Sequence, residues 1–251
     1  MRHRYGPPIV DVWVLVGVAG AVLVAAAAQQ LAGFGFALMA MPVLSVLVGP
    51  KDAVAISAVA SLAGGAVMAY RLRPLIDRPV LLRLVCGALP GLPIGVIGLR
   101  RLPEDPLRVA VGVVVLVMVG VLATGVRRRA RGPKAEVLAG FASGILGTSI
   151  GISGPPVVVV LQAGGQEQHA FRATIVAFFV VSNVVTLPLV LLSGAVDTGR
   201  WPAAAAAVPA ALVGTLAVER VASRVPPDRF RRLVLALLVV AALVTLASAV
   251  V

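Results

Sequence analysis

The chain has 251 residues, 60% of them hydrophobic and 13% charged, with a mean hydropathy of +1.04, a composition that excludes a water-soluble domain and points to a polytopic membrane protein. The net charge of +12 is carried in short loops between apolar segments, which fits topology signals and contact with anionic lipids and argues against nucleic acid as a partner. A lone cysteine, Cys86, excludes an internal disulfide, and the two distant histidines, His3 and His169, give no basis for a metal site or Ser-His-Asp catalysis.

Residues 9–31 form the first apolar segment, behind Arg2, His3 and Arg4. It reads as a span, although its basic start and the alanines at 25–28 also fit a signal peptide. Gly33-Phe34-Gly35 interrupts it, and a shorter run covers 37–48. After a turn at Gly49-Pro50-Lys51-Asp52 comes 53–70, where Ser57, Ser61, Gly64 and Gly65 suit close helix packing. Segments 80–99, with Pro90 and Pro93, and 107–126 follow. A basic patch (Arg127, Arg128, Arg129, Arg131, Lys134) then precedes apolar sequence at 135–146. The next ten residues are Gly147-Thr148-Ser149-Ile150-Gly151-Ile152-Ser153-Gly154-Pro155-Pro156. Beyond them lie apolar 157–162, a polar loop to Arg172, and segments 173–192, 201–218 and 233–251.

The chain repeats itself. Leu102-Pro103-Glu104-Asp105-Pro106 resembles Val225-Pro226-Pro227-Asp228 with a helix-length apolar run after each; Pro90 with Gly95 matches Pro209 with Gly214; the stretch from Gly33 to Pro42 matches that from Gly147 to Pro156. One transmembrane domain is therefore expected over 1–251: repeat one at about 10–126, a basic cytoplasmic linker at 127–134 and repeat two at 135–251. Placing that linker in the cytoplasm, as the positive-inside rule requires, fixes the parity of the other loops. The apolar arms at 135–147 and 153–164, about 12 or 13 residues each, reach roughly 20 Å against a hydrocarbon core of ~30 Å. They are expected to enter and leave on one side as a re-entrant pair. The fold class is then an all-α polytopic membrane protein of about 8–10 hydrophobic segments. Its two repeats are inverted, each a broken or re-entrant helical pair followed by three transmembrane helices. The basic N-terminus is the one segment that parity misplaces.

Backbone rich in glycine and proline at membrane depth is tolerated only where protein buries it or a wet cavity takes it up. Two such breaks at equivalent places in inverted halves are the pattern of secondary transporters, whose substrate lies at the repeat interface. Helices starting after Gly35 and after Gly154 would aim their N-termini at that point, with Pro155 and Pro156 in a first turn, where proline is tolerated. N-termini suit an anion, and Thr148, Ser149 and Ser153 add hydroxyls. Between Val12 and Tyr70 only Lys51 and Asp52 are charged, and between Ala173 and Val218 only Asp197 and Arg200, all at turns or loops, which argues against a cation pump. Arg172 either draws the anion or snorkels to the interface; Asn183, and Gln29 with Gln30, either line the path or bond a neighbouring helix.

The motifs Ala32-Gly33-Phe34-Gly35-Phe36 with Pro42, and Gly151-Ile152-Ser153-Gly154-Pro155-Pro156 followed by Arg172-Ala173-Thr174, resemble the sulfite exporter TauE/SafE family of membrane transporters, over nearly the whole chain. The resemblance implies a multi-pass inner-membrane protein with duplicated halves that moves small anions such as sulfite or organosulfonates. The expected function is a secondary transporter, an exporter by that resemblance, with no enzymatic activity, cofactor or metal. Its partners are a small anion and the lipid bilayer, and a homo-oligomer is left open. The expected substrate-binding set is Gly33, Gly35, Pro42, Gly147, Thr148, Ser149, Gly151, Ser153, Gly154, Pro155, Pro156, Arg172, Thr174 and Asn183. A passive anion channel is the first alternative; an integral-membrane enzyme and a non-transporting scaffold stand behind it.

Overall fold

A computed structural model describes residues 11–32, 34–124, 132–218 and 227–249. Among these, the regular elements are helical, with no strand: α1 (Val12–Ala32), α2 (Phe36–Leu47), α3 (Pro50–Leu72), α4 (Arg78–Arg101), α5 (Glu104–Thr124), α6 (Pro133–Ile150), α7 (Gly154–Ala163), α8 (Gln168–Leu192), α9 (Trp201–Val218) and α10 (Pro227–Ala247), with short 3₁₀ turns at Arg73–Leu75 and Thr198–Arg200. Five helical stretches are long and apolar enough to cross a membrane: Val12–Gln30, Pro50–Leu75, Arg78–Arg101, Glu104–Ala123 and Gln168–Leu192. Shorter apolar helices, including α2 and α7, accompany them. Outward-facing side chains are themselves apolar, Leu82, Val117, Val184 and Val240 among them, as lipid contact demands and water would not allow. The protein is a multi-pass membrane protein. Of the expected basic loops, Arg2 to Arg4, Arg127 to Arg131 and 219–226 fall outside the described residues, as does Gly33.

The helices match the apolar segments closely, with one correction. The pair at 135–164 is not two short arms. Helix α6 has 18 residues, roughly 27 Å, and only α7, with 10 residues and roughly 15 Å, is short. The helix runs on through Gly147, Thr148 and Ser149, and the two hydroxyls bond to the carbonyl one turn back: Thr148 Oγ1 reaches Gly144 O at 2.9 Å and Ser149 Oγ reaches Ile145 O at 2.7 Å. The helix ends at Gly151, whose φ of 73° lies in the left-handed region. Three residues separate α1 from α2 and three separate α6 from α7. Counted from those helix ends, Gly35 aligns with Ser153, one turn later than the motif match placed it.

Packing crosses between the halves. The tightest pairs are α4 with α6 and α1 with α9; α3 packs on α8 at the centre, α5 on α10, α3 on α9 and α4 on α8. Exchanging each helix for its counterpart turns α4–α6 into α9–α1 and α3–α9 into α8–α4, and leaves α3–α8 and α5–α10 unchanged.

The α4–α6 crossing is backbone against backbone. A Cβ placed on Gly87 would sit 2.0 Å from Val137 O, and one on Gly140 2.0 Å from Leu84 O; Gly91 and Gly144 approach Phe141 O and Ala88 O in the same way. In lipid, where apolar surface gives no net drive for helix association, such small-residue contact carries the packing. The single Thr148 hydroxyl proton is shared between Gly144 O and, across this crossing, Leu92 O at 2.8 Å, and Arg83 pairs with Glu136 at one end. Gly214 of α9 meets Leu23 O of α1 in the equivalent way.

Polar ties mark the two ends of α3. At its first turn, Asp52 pairs with Arg200 (Nε–Oδ2 3.1 Å) and accepts from Asp197 N (2.8 Å), while Arg200 also donates to Val48 O. Beyond its last turn, Asp77 accepts from Val80 N as the α4 cap and from Gln166 Nε2 at 3.0 Å, and its own N–H donates to Thr174 Oγ1. The Asp52 side chain is 11% exposed and that of Arg200 40%, between a buried and a surface pair. Arg200→Leu is therefore expected to cost about 1–2 kcal/mol. Adding Asp52→Asn should cost less than its own single effect. A thermal-melting double-mutant cycle in detergent reads this coupling; strictly additive shifts would show that the two side chains do not act as a pair.

Candidate functional site

Both breaks end on one cavity, walled by α3 and α8. From the first break come Gly35, Phe36, Ala37 and Leu38; from the second, Gly147, Gly151, Ile152, Ser153 and Gly154. Helix α3 adds Ser57 and Ser61, one turn apart, together with Val54 and Ala58. Helix α8 adds Phe179, Ser182, Asn183 and Thr186, again one face at helical spacing. Ser143 of α6 and Leu92 of α4 complete the wall. The described lining carries no charged side chain.

Its polar groups fall into three kinds. Some hold the frame: Ser143 Oγ donates to Ser153 O at 2.6 Å, tying the broken backbone to α6, and Asn183 Nδ2 donates to Ser61 Oγ at 3.2 Å, tying α8 to α3. Others are unused: Ser182 Oγ is buried and has no hydrogen-bond partner. The third kind is backbone. Helix α2 has Gly35 as its N-cap, at φ 108°, with no side-chain cap. Its first bond is Met39 N–H to Gly35 O, so the N–H groups of Phe36, Ala37 and Leu38 donate to no acceptor among the described residues. Helix α7 is poorer in donors. It too lacks a side-chain cap, but Pro155 and Pro156 have no N–H, so Gly154 supplies the only N–H of its first three residues.

The structure brings together Gly35, Gly147, Gly151, Ser153, Gly154 and Asn183 from the expected set. The others lie elsewhere. Pro42 is buried inside α2, its carbonyl accepting from Ser45 Oγ and, at 3.1 Å, from Thr245 Oγ1 of α10. Thr148 and Ser149 spend their hydroxyls on helix carbonyls, and Pro155 and Pro156 sit in the first turn of α7 without reaching the lining. Arg172 binds the carbonyl and side chain of Gln30 at the end of α1, where a cation meets the negative end of a helix. Thr174 is fully buried and holds the Asp77 N–H. Gly33 lies outside the described residues. Sequence reasoning assigned Ser57 and Ser61 to packing and passed over Ser143, Ser182 and Thr186. The available signal was hydroxyls recurring at i and i+4 on apolar helices.

The arrangement is a small, hydroxyl-lined, uncharged cavity at the ends of two short helices. A family model described as sulfite exporter TauE/SafE matches residues 18–245. The chain belongs to the sulfite exporter TauE/SafE family. A curated relative, the probable sulfite/organosulfonate exporter TauE of Cupriavidus necator, is 26% identical over 219 residues, covering 84% of this chain and 85% of the relative. No solved structure matches the chain. Both breaks and the whole cavity lie within the matched TauE/SafE region, and the family is one of exporter-type membrane transporters.

Proposed function

We propose that the chain is a secondary transporter that exports small sulfur-containing anions, sulfite or organosulfonates, across the cell membrane, holding them in the cavity between the two breaks. The observation that carries this reading is the convergence of α2 and α7 on that cavity, each N-terminus without a side-chain cap. An unpaired helix N-terminus is a ready anion site, and in broken-helix transporters such ends face anionic groups. The name of the Cupriavidus relative supports the sulfur-anion assignment. The exchange of helix contacts between the first five and last five helices supports a two-fold relation between inverted halves, and alternating access would then rock one bundle against the other about the cavity.

Counterflow in proteoliposomes tests it. Labelled sulfite uptake is expected to saturate and to accelerate when unlabelled sulfite or a sulfonate is loaded inside. Uptake no faster than in empty vesicles would reject transport, and uptake without acceleration would favour a channel. Gly154→Leu places a side chain beside Phe179, 3.6 Å from a Cβ at that position, and into the mouth of the site. It is expected to lower flux at least about tenfold, roughly 1.4 kcal/mol in barrier, with unchanged yield of folded protein. Wild-type flux in this variant would remove the cavity from the pathway.

A further inference from the structure

We infer that the cavity selects oxyanions bearing a single negative charge, seated on the α2 N-terminus, and discriminates against dianions. The inference rests on the transport reading above and names the charge state that the site accepts.

The donors are present without a counter-charge. Phe36, Ala37 and Leu38 offer three successive backbone N–H groups with no protein acceptor among the described residues, and Gly154 faces them from the other break. The independent sign of a missing ligand is Ser182. It is 8% exposed, lines the same cavity, and its Oγ makes no hydrogen bond. A buried hydroxyl left unmade costs about 1–3 kcal/mol, which an incoming acceptor would relieve.

Charge decides which anion is accommodated. A helix N-terminus carries the equivalent of roughly +0.5 charge, so two converging ends supply about one positive unit. The nearby cation Arg172 is engaged with Gln30 outside the lining. The cost of transferring an ion from water into a poorly polarisable site grows with the square of its charge, roughly fourfold from a monoanion to a dianion. One unit of helix-end charge balances the first and not the second. Hydroxyls also accept hydrogen bonds, so Ser57, Ser182 and Thr186 can receive the proton of hydrogensulfite, which backbone N–H groups alone could not. Sulfonates with no second ionised group and hydrogensulfite fit these rules; sulfate and fully ionised sulfite do not.

The experiment uses the full-length protein in proteoliposomes at constant ionic strength, with methanesulfonate, sulfate and sulfite as probes. Methanesulfonate is expected to compete with labelled substrate at least about tenfold more effectively than sulfate. The apparent affinity for total sulfite should fall as pH rises from about 6 to about 8, while that for methanesulfonate stays constant. Ser182→Ala is expected to weaken methanesulfonate about three- to tenfold, the range of one hydrogen bond, while thermal stability without ligand is equal to or above that of the wild type. Sulfate competing as well as methanesulfonate, or a sulfite affinity indifferent to pH, would overturn charge selection and leave transport standing. Failure of every probe to move or compete would overturn the transport reading with it.

Discussion

Gly140→Leu is expected to yield no folded, monodisperse protein. The added Cβ alone would stand 2.0 Å from the Leu84 carbonyl oxygen, and the obstacle is backbone, so no rotamer change relieves it. Helices α4 and α6 would have to separate along their length, because Gly87, Gly91, Gly95 and Gly144 make contacts of the same kind. Separation would also remove the Thr148 bond to Leu92 O. Overpacking commonly costs about 1–3 kcal/mol; displacing a whole crossing built on close contact should exceed that upper figure. Against a total stability of about 5–15 kcal/mol, such a loss is decisive. Size-exclusion profile and thermal melting in detergent measure it. Gly20→Leu is the control, since a Cβ there meets nothing within 4 Å. A Gly140→Leu protein that melts within a few degrees of wild type would show that the crossing is not what holds the fold.

Gly151→Val should act on transport rather than on assembly. Gly151 ends α6 with φ 73°, a conformation that costs an L-residue about 1–2 kcal/mol and a β-branched one more. A Cβ there would also lie 2.6 Å from Met41 Sδ, and Met41 is fully buried in α2. One substitution therefore strains the second break and presses on the helix that follows the first. Flux per incorporated molecule is expected to fall at least about a hundredfold, roughly 2.7 kcal/mol in barrier, while the intact α4–α6 crossing still gives purifiable protein. Gly151→Asn, which accepts the left-handed backbone more readily, should retain more activity than the valine variant. Near-wild-type flux in Gly151→Val would show that the geometry of this break does not govern transport.

What the sequence revealed follows from the range over which each signal acts. The spans were legible because apolar length is a local property: segments 53–70, 80–99 and 173–192 fall inside α3, α4 and α8. The second break was located but set one turn early, at Gly147. Composition registers glycines and hydroxyls, whereas a hydroxyl bonded to the carbonyl of residue i−4 leaves the helix intact, as Thr148 and Ser149 do. Gly151 and Ser153 line the cavity. Pro42 lies further along α2, its carbonyl taken by Ser45 and by Thr245 of α10, more than 200 residues along the chain. Arg172 entered the expected set as a cation at the start of an apolar segment, and with Thr174 as part of the family motif, yet their partners, Gln30 and Asp77, lie some 100 residues or more away. Ser57 and Ser61 looked like packing residues since nothing local distinguishes a serine facing a helix from one facing a cavity.

The cross-packing of the halves has a mechanical consequence. Each break is held by a scaffold helix from the opposite half: α1, packed on α2, leans on α9, while α6, packed on α7, leans on α4. Packing between the first five and the last five helices thus ties both ends of the polypeptide together. Helices α3 and α8, which face each other across the cavity, join the two scaffold pairs, α3 packing on α9 and α8 on α4. Either half made alone would carry one helix of every tight pair and lack its mate. The smallest unit that can close these contacts is therefore the whole chain and not either half.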